Sequence, residues 1–225
     1  MRLISICLLV AVLAGCTANL KRLDTGETLL GERLAVDLRD PWTQVNVIGQ
    51  PPRWTIEGLP LDMLLVYPGV KDGAAIYKAP AGSEAKVVSF RASMQPEEII
   101  AMFEAALSAG GSTFTLTKLE PKTFIGRKGL RFEFGFLRRS DNMRLSGVGF
   151  AAVDNAELFA MLYIAPRLEF FGRHQAKVEQ TAGSAKLWAR SATLAQETAK
   201  PAQPQQERPC ITTMECRARG EVYTR

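Results

Sequence analysis

The chain has 225 residues, of which 47% are hydrophobic and 23% charged, and its formal net charge is +5. A chain of this length can bury one good hydrophobic core. The mild positive charge suits a surface close to anionic lipid, but it carries no signature of nucleic-acid binding, so nucleic acid is excluded as a partner.

The N-terminus has the layout of an export signal. Met1 and Arg2 give a positive start, and residues 3–14 carry no charge. A membrane-spanning helix needs about 20 apolar residues, and this run is shorter. Residues 1–15 are therefore predicted to be a cleaved signal peptide. Cleavage removes one arginine and no acid, so the net charge falls from +5 to +4.

Residues 13–16, Leu-Ala-Gly-Cys, resemble the lipobox of bacterial lipoproteins. The resemblance implies a diacylglycerol on the thiol of Cys16 and an acyl chain such as palmitate on the new amine, which together anchor a protein firmly. In that family an aspartate after the cysteine favours the inner membrane, whereas Thr17 and Ala18 follow here. The expected location is the periplasmic face of the outer membrane. The alternative is an ordinary signal peptide that ends at a cysteine.

Residues 16–26 are predicted to be a lipidated polar tether, and residues 27–190 a single α+β domain. Short apolar runs between residues 29 and 80 alternate with turn signals such as Asp40-Pro41, which predicts antiparallel strands. A strand at 86–91 then leads into a helix. Pro96 suits its first position, Glu97 and Glu98 suit its first turn, and Gly110-Gly111 ends it.

Strand signals continue from residue 113 to residue 164. Positions 130, 132, 134 and 136 are Leu, Phe, Phe and Phe, and alternate with polar residues or glycine, which predicts a half-buried strand. Hairpin turns are predicted around residues 140–142 and at Asp154-Asn155. A second helix is predicted over about 168–182.

The order of elements over residues 87–187 resembles the PsbP-like superfamily, which includes an extrinsic photosystem II protein and bacterial envelope relatives. The matching segments are the strand and capped helix at 90–99, the glycine turn and strand at 125–132, and the strand at 158–163. The resemblance implies an antiparallel sheet flanked by helices. It also implies no cofactor and no shared catalytic residues.

The composition changes after residue 190. Residues 191–209 are rich in Gln, Pro, Glu, Ala and Thr and are predicted to be a disordered linker. Residues 210–225 are too short to bury a core, and Cys210 and Cys216 are predicted to close this tail with a local disulfide. Intermolecular pairing is the alternative. No metal site is expected, because His174 is the one histidine of the chain.

No catalytic constellation stands out in the sequence. His174 has no identifiable serine or cysteine nucleophile beside it, so a structural role is favoured. A carboxylate pair formed on folding by Glu133, Asp141 or Asp154 stays open.

Two glycine pairs and two tryptophans also have a structural interpretation. The glycines of 126–129 and 147–149 do not precede a helix as a phosphate-binding loop does, so turns and close backbone approach are predicted. Trp42 and Trp54 are expected in the core, with exposed binding of a glycan or peptide as the alternative.

One stretch is strongly basic and is the best sequence-based candidate for a binding surface. It would face lipid headgroups, peptidoglycan or an acidic envelope protein, and the alternative is an ordinary solvated hairpin. Its residues are Arg127, Lys128, Arg131, Arg138, Arg139 and Arg144.

These features favour a non-enzymatic envelope lipoprotein that binds a partner or assists assembly at the membrane. Two alternatives predict different structures. An envelope hydrolase with paired carboxylates predicts two acids converging in a deep pocket, and a carrier of a small apolar ligand predicts a large apolar cavity between sheet and helix.

Overall fold

The computed structural model describes residues 19–46, 50–77 and 87–188. They belong to one compact unit that ends at Ala189. The predicted signal peptide, Cys16, the linker at 191–209 and the Cys210–Cys216 disulfide lie outside the described residues.

Strands dominate the described residues. They are β1 (Asn19–Leu23), β2 (Gly26–Leu30), β3 (Leu34–Leu38), β4 (Trp42–Asn46), β5 (Arg53–Thr55), β6 (Met63–Lys71), β7 (Ala75–Tyr77), β8 (Val88–Ser89), β9 (Thr113–Phe124), β10 (Arg127–Arg138), β11 (Met143–Asp154), β12 (Glu157–Pro166) and β13 (Lys186–Leu187). The helices are α1 (Pro96–Ser108) and α2 (Gly172–Gly183), and a π-helical turn at Arg167–Phe171 leads into α2.

Eight of these strands form one large sheet in the order β1-β4-β5-β6-β12-β11-β10-β9. Every neighbouring pair in it is antiparallel. A small sheet, β13-β3-β2, and the pair β7-β8 complete the strands. The prediction of an α+β fold built on a large antiparallel sheet is confirmed.

Alternate residues of the central strands belong to two separate cores. Val148 and Phe150 of β11 pack in the same core as Val178 of α2, whereas Ala151 packs in the same core as Phe103 of α1. Because successive side chains of a strand point to opposite faces, α1 and α2 cover opposite faces of the large sheet. The small sheet lies on the α2 face.

Two phenylalanines of β10 lie over two glycines of β11. The register pairs Phe132 with Gly149 and Phe134 with Gly147. A Cβ added to either glycine would lie 2.2 Å from the facing ring. These glycines therefore make room for the two phenylalanine rings of the α1-side core. This is the close approach that the two glycines predict.

The tether predicted at residues 16–26 is wrong from Asn19 onwards. Asn19–Leu23 form strand β1, which pairs along its whole length with β4, and β2 begins at Gly26. β1 lies at an edge of the sheet, and Leu23 is its one buried residue. Because its other four side chains are exposed, the segment has no alternating apolar pattern that would indicate a strand.

The turns between the long strands use left-handed backbone conformations. Asn155 and Ala156, which connect β11 to β12, have φ values of 48° and 60°, and Asn142 in the β10–β11 turn has a φ of 54°. Such conformations suit tight hairpin connections and favour asparagine or glycine. Both turns lie where the sequence predicted them.

Candidate binding groove on the sheet

An open groove of about 750 Å³ crosses β9, β10 and β11 and ends at the start of the helical segment. Its floor lies on the α2 face, because Ser146 precedes Val148 of the α2-side core by two positions on β11. The lining residues are Thr113, Thr115, Thr117, Glu133, Phe134, Gly135, Phe136, Leu137, Arg144, Leu145, Ser146, Gly147, Arg167, Phe171 and Gly172.

The hollow follows from a row of small side chains across the sheet. Register pairs join Thr115 to Gly135 and Gly135 to Ser146. None of these three residues is large enough to fill the space above the strands. Hydroxyl groups from β9 and β11 therefore line a shallow floor that is open to solvent.

Two arginines lie together at one end of the groove. Leu145 and Pro166 are the last register pair between β11 and β12, and Arg144 and Arg167 are the next residue on each side. Both side chains line the groove, and both residues are exposed. Neither forms an ion pair with an acid of the described residues. Because neighbouring like charges repel each other, the pair favours an anion between them.

One acid lines the groove, Glu133, and it shares the buried Arg131 with two other glutamates. Arg131 Nη1 lies 2.7 Å from Glu133 and 3.2 Å from Glu120, and Arg131 Nη2 lies 2.6 Å from Glu179 of α2. Burial opposes the charge of Arg131, but its hydrogen bonds to Glu179 and Glu133 prevail and raise its pKa. Because one guanidinium is shared by three carboxylates, Glu133 keeps part of its negative charge, and it lies four positions along β10 from Leu137, the register partner of Arg144.

The six basic residues predicted as one patch do not form one surface. Arg131 is buried in the ion-pair network, and Arg127 pairs with Asp154 at the opposite end of β10 from Arg138. Arg138 pairs with Asp141 at 2.6 Å. The prediction is wrong because a strand of twelve residues extends for roughly 40 Å, so its two ends cannot share a site.

The remaining members of the predicted patch are also separate. Lys128 is exposed next to Arg127, and Arg139 lies against Gly111, whose added Cβ would meet the Arg139 guanidinium at 2.5 Å. Arg144 is the one member that lines the groove. Its neighbour Arg167 follows a predicted strand in sequence, so only the β11–β12 register reveals that the two residues are close.

The three carboxylates considered for acid–base chemistry lie apart. Asp141 and Asp154 lie at opposite ends of β11, and Glu133 lies in the groove. Asp154 accepts hydrogen bonds from Arg127 at 2.6 Å and from Arg33 at 3.0 Å, and these partners lower its pKa despite the desolvation that opposes the shift. These residues do not provide the converging pair that the hydrolase alternative predicts.

His174 makes a structural contact on α2. Its Nε2 lies 2.7 Å from Glu57 Oε1, and this hydrogen bond lowers the pKa of Glu57. Arg173 reaches the same carboxylate at 3.4 Å. Glu57 lies in the loop between β5 and β6. Asp62 closes this loop, because its carboxylate accepts hydrogen bonds from the backbone N–H groups of Ile56 and Glu57. His174 therefore fastens this loop to α2.

The tryptophans lie in the core, as expected. Trp42 is 2% exposed and Trp54 is fully buried, and their ring centroids are 6.1 Å apart. The alternative of an exposed aromatic binding surface at these two residues is wrong.

Across residues 19–46, 50–77 and 87–188, no three His, Cys, Asp or Glu side chains are grouped to hold a metal ion. No helix within these ranges is long and apolar enough to span a bilayer.

No family model matches the chain, and no curated protein matches its sequence. A similar fold occurs in the solution structure of cyanobacterial PsbP (CyanoP) from Synechocystis sp. PCC 6803, with a TM-score of 0.51 and 12% sequence identity. The match covers 78% of this chain and 96% of CyanoP. An identity this low relates the two chains by fold and not by the residues of a shared site. The chain therefore has a PsbP-like fold, as the order of its elements predicted.

Proposed function

We propose that the chain is a lipid-anchored, non-enzymatic binding module of the bacterial envelope, and that its groove holds an anionic group of a partner. The observation that carries the proposal is the pair Arg144 and Arg167, which share one end of the groove without an acidic partner among the described residues. An anion that accepts charge-assisted hydrogen bonds from both guanidinium groups would relieve their repulsion. The PsbP-like fold supports a binding or assembly role.

The proposed anchor and the groove lie at opposite edges of the sheet. Strand β1 starts at Asn19, three residues after Cys16. Three residues of chain reach about 10 Å, so the β1 edge stays within that distance of an anchored Cys16. The groove extends over β9 to β11, and five to seven strand spacings of about 4.8 Å separate these strands from β1, or roughly 24 to 34 Å along the sheet. This separation favours a partner beyond the anchoring bilayer, such as an envelope protein or peptidoglycan, over the headgroups of that bilayer.

The anion site is tested with citrate, a small tricarboxylate, added to the full chain in detergent. A ligand that binds the folded state at about ten times its Kd raises the unfolding temperature by about 3 °C. We expect this rise for the wild type and its loss in the double variant Arg144→Ser/Arg167→Ser. Lys128→Ser, an exposed lysine towards the other end of β10, is the matched control and retains the rise. Equal shifts in all three proteins would overturn the proposal.

The anchor is tested separately by mass spectrometry of the mature protein purified from its own envelope. The proposal predicts an N-terminal Cys16 that carries a diacylglycerol and an amide-linked acyl chain. An unmodified Cys16 would remove the membrane anchor and leave the groove as the remaining claim.

A further inference from the structure

The outer edge of β9 has no strand partner among the described residues. β9 ends the order of the large sheet, and its known partner is β10. Ten of its twelve residues are exposed or half-buried, and Thr113, Thr115 and Thr117 line the groove. The groove therefore opens directly onto a free strand edge, whose unpaired backbone groups are a template for another strand.

The two halves of this edge differ. Residues 113–117, Thr-Phe-Thr-Leu-Thr, contain no charge and no proline. The other half contains residues that block strand pairing in natural proteins, Lys118, Pro121 and Lys122, and the irregular register at Thr117 marks the boundary between the two halves. Only the half that borders the groove is left unprotected.

Contacts with β10 and with the turn after it position the start of β9. The backbone N–H of Arg139 donates to Ser112 Oγ at 3.2 Å, and the Arg139 side chain lies against Gly111. Phe114 of β9 stacks on Phe134 of β10, with ring centroids 4.6 Å apart. A partner strand would therefore meet an ordered edge, which lowers the entropic cost of pairing.

From this juxtaposition we propose that the partner is an extended acidic polypeptide segment. Its backbone pairs with residues 113–117 as a ninth strand, and acidic residues next to the paired segment enter the groove and bind Arg144 and Arg167. Backbone pairing gives strand addition its affinity, and side-chain contacts give it specificity. The choice of an acidic segment follows from the two arginines and so rests on the proposed function, whereas the choice of a strand follows from the edge of β9.

The test uses the octapeptide Glu-Glu-Thr-Val-Thr-Val-Glu-Glu, acetylated and amidated at its ends, with the full chain in detergent. NMR-detected amide hydrogen exchange is measured up to about 1 mM peptide, a concentration suited to weak recognition. Strand addition predicts slower exchange at alternate residues within 113–117, because only amides that point away from β10 gain a partner. Arg144→Ser/Arg167→Ser is expected to weaken binding about tenfold.

Two matched peptides complete the experiment. The first has alternate backbone amides N-methylated, which blocks strand pairing without changing the charge, and it is expected to lose binding. The second has lysine in place of each glutamate and is also expected to lose binding.

The outcomes separate this inference from the proposed function. Unchanged exchange at 113–117, or equal binding of the N-methylated peptide, overturns strand addition. If citrate still binds in an arginine-dependent way in that case, the anion site survives and its ligand is an acid of another class, such as an acidic glycan. If neither citrate nor peptide depends on the two arginines, the anion site and the acidic character of the segment are both overturned.

Discussion

Arg131 has a structural role in the folded protein that differs from the binding role its sequence neighbours predict. In the sequence it belongs to a run of basic residues that resembles a binding surface. In the structure it is 7% exposed, lies over the ring of Phe150 at 6.0 Å and gathers three glutamates around its guanidinium group. Because α2 contributes Glu179 to this group, Arg131 joins the helix to the sheet.

Arg131→Met is therefore expected to destabilise the protein by roughly 2–3 kcal/mol, because it leaves three carboxylates without their shared cation. The measurement is urea unfolding followed by tryptophan fluorescence. Lys128→Met, at an exposed position of the same strand, is the control and should change the free energy of unfolding by about 0.5 kcal/mol or less. Equal effects of the two substitutions would show that the network does not stabilise the fold.

Gly149 is the second residue whose role depends on its neighbour. Gly149→Ala would place a Cβ 2.2 Å from the Phe132 ring, so we expect a loss of about 1–3 kcal/mol as the ring is displaced. Gly183→Ala at the end of α2 has no atom within 4 Å of the new Cβ and should be neutral or slightly stabilising. Chemical denaturation of both variants measures the difference, and a harmless Gly149→Ala would contradict the tight packing.

The ion pairs of Asp154 are expected to make the free energy of unfolding depend on pH. Arg127 and Arg33 lower its pKa in the folded protein, so below about pH 4 the unfolded chain binds more protons than the folded chain. The free energy of unfolding should therefore fall as the pH decreases from about 4 towards 2. Asp154→Asn should be less stable than the wild type at pH 7 and should lose less stability over this acidic range. Parallel pH profiles of the two proteins would exclude this role.

At the scale of elements, local sequence patterns predict the long strands, α1 and the hairpin turns. α1 starts at Pro96 with Glu97 and Glu98 in its first turn, and Glu98 accepts a hydrogen bond from the N–H of Gln95 at 2.7 Å. β10 alternates clearly because one of its faces is buried. β1 has no such pattern because it is an exposed edge, and it becomes a strand through pairing with β4.

The groove could not be predicted in the same way. It depends on the register that aligns Thr115, Gly135 and Ser146, and on the end of β12 that brings Arg167 beside Arg144. These residues belong to separate segments of the chain, and a shift of one residue would turn each side chain to the opposite face. Of the two arginines, only Arg144 was identifiable in advance, because it lies in the basic run.

The conformation of the β11–β12 turn predicts the effect of placing glycine at position 156. Ala156 has a φ of 60°, which is costly for any residue with a Cβ, and it follows Asn155 in a two-residue connection. Ala156→Gly should therefore stabilise the protein by about 0.5–1 kcal/mol, measured by chemical denaturation. Ala106→Gly within α1 is the opposite control and should destabilise it by a similar amount. Destabilisation by both substitutions would contradict the turn geometry.

At the scale of the whole molecule, the proposed anchor and the proposed binding groove lie towards opposite edges of the large sheet. The β1 edge lies close to the proposed lipid anchor, and the β9 edge carries the groove and the unprotected half-strand. The two helices and the small sheet stabilise the faces between these edges. This arrangement suits a module that is fixed at one edge and binds a partner at the other.

The most direct test of this account places a photo-crosslinking residue at Leu137 of the full chain in its native envelope. Leu137 lines the groove and pairs in register with Arg144. The account predicts an adduct with an envelope protein that is lost when Arg144 and Arg167 are replaced by serine, and that does not form from the same probe at Lys128. An adduct that persists without the two arginines, or that forms equally from Lys128, would contradict it.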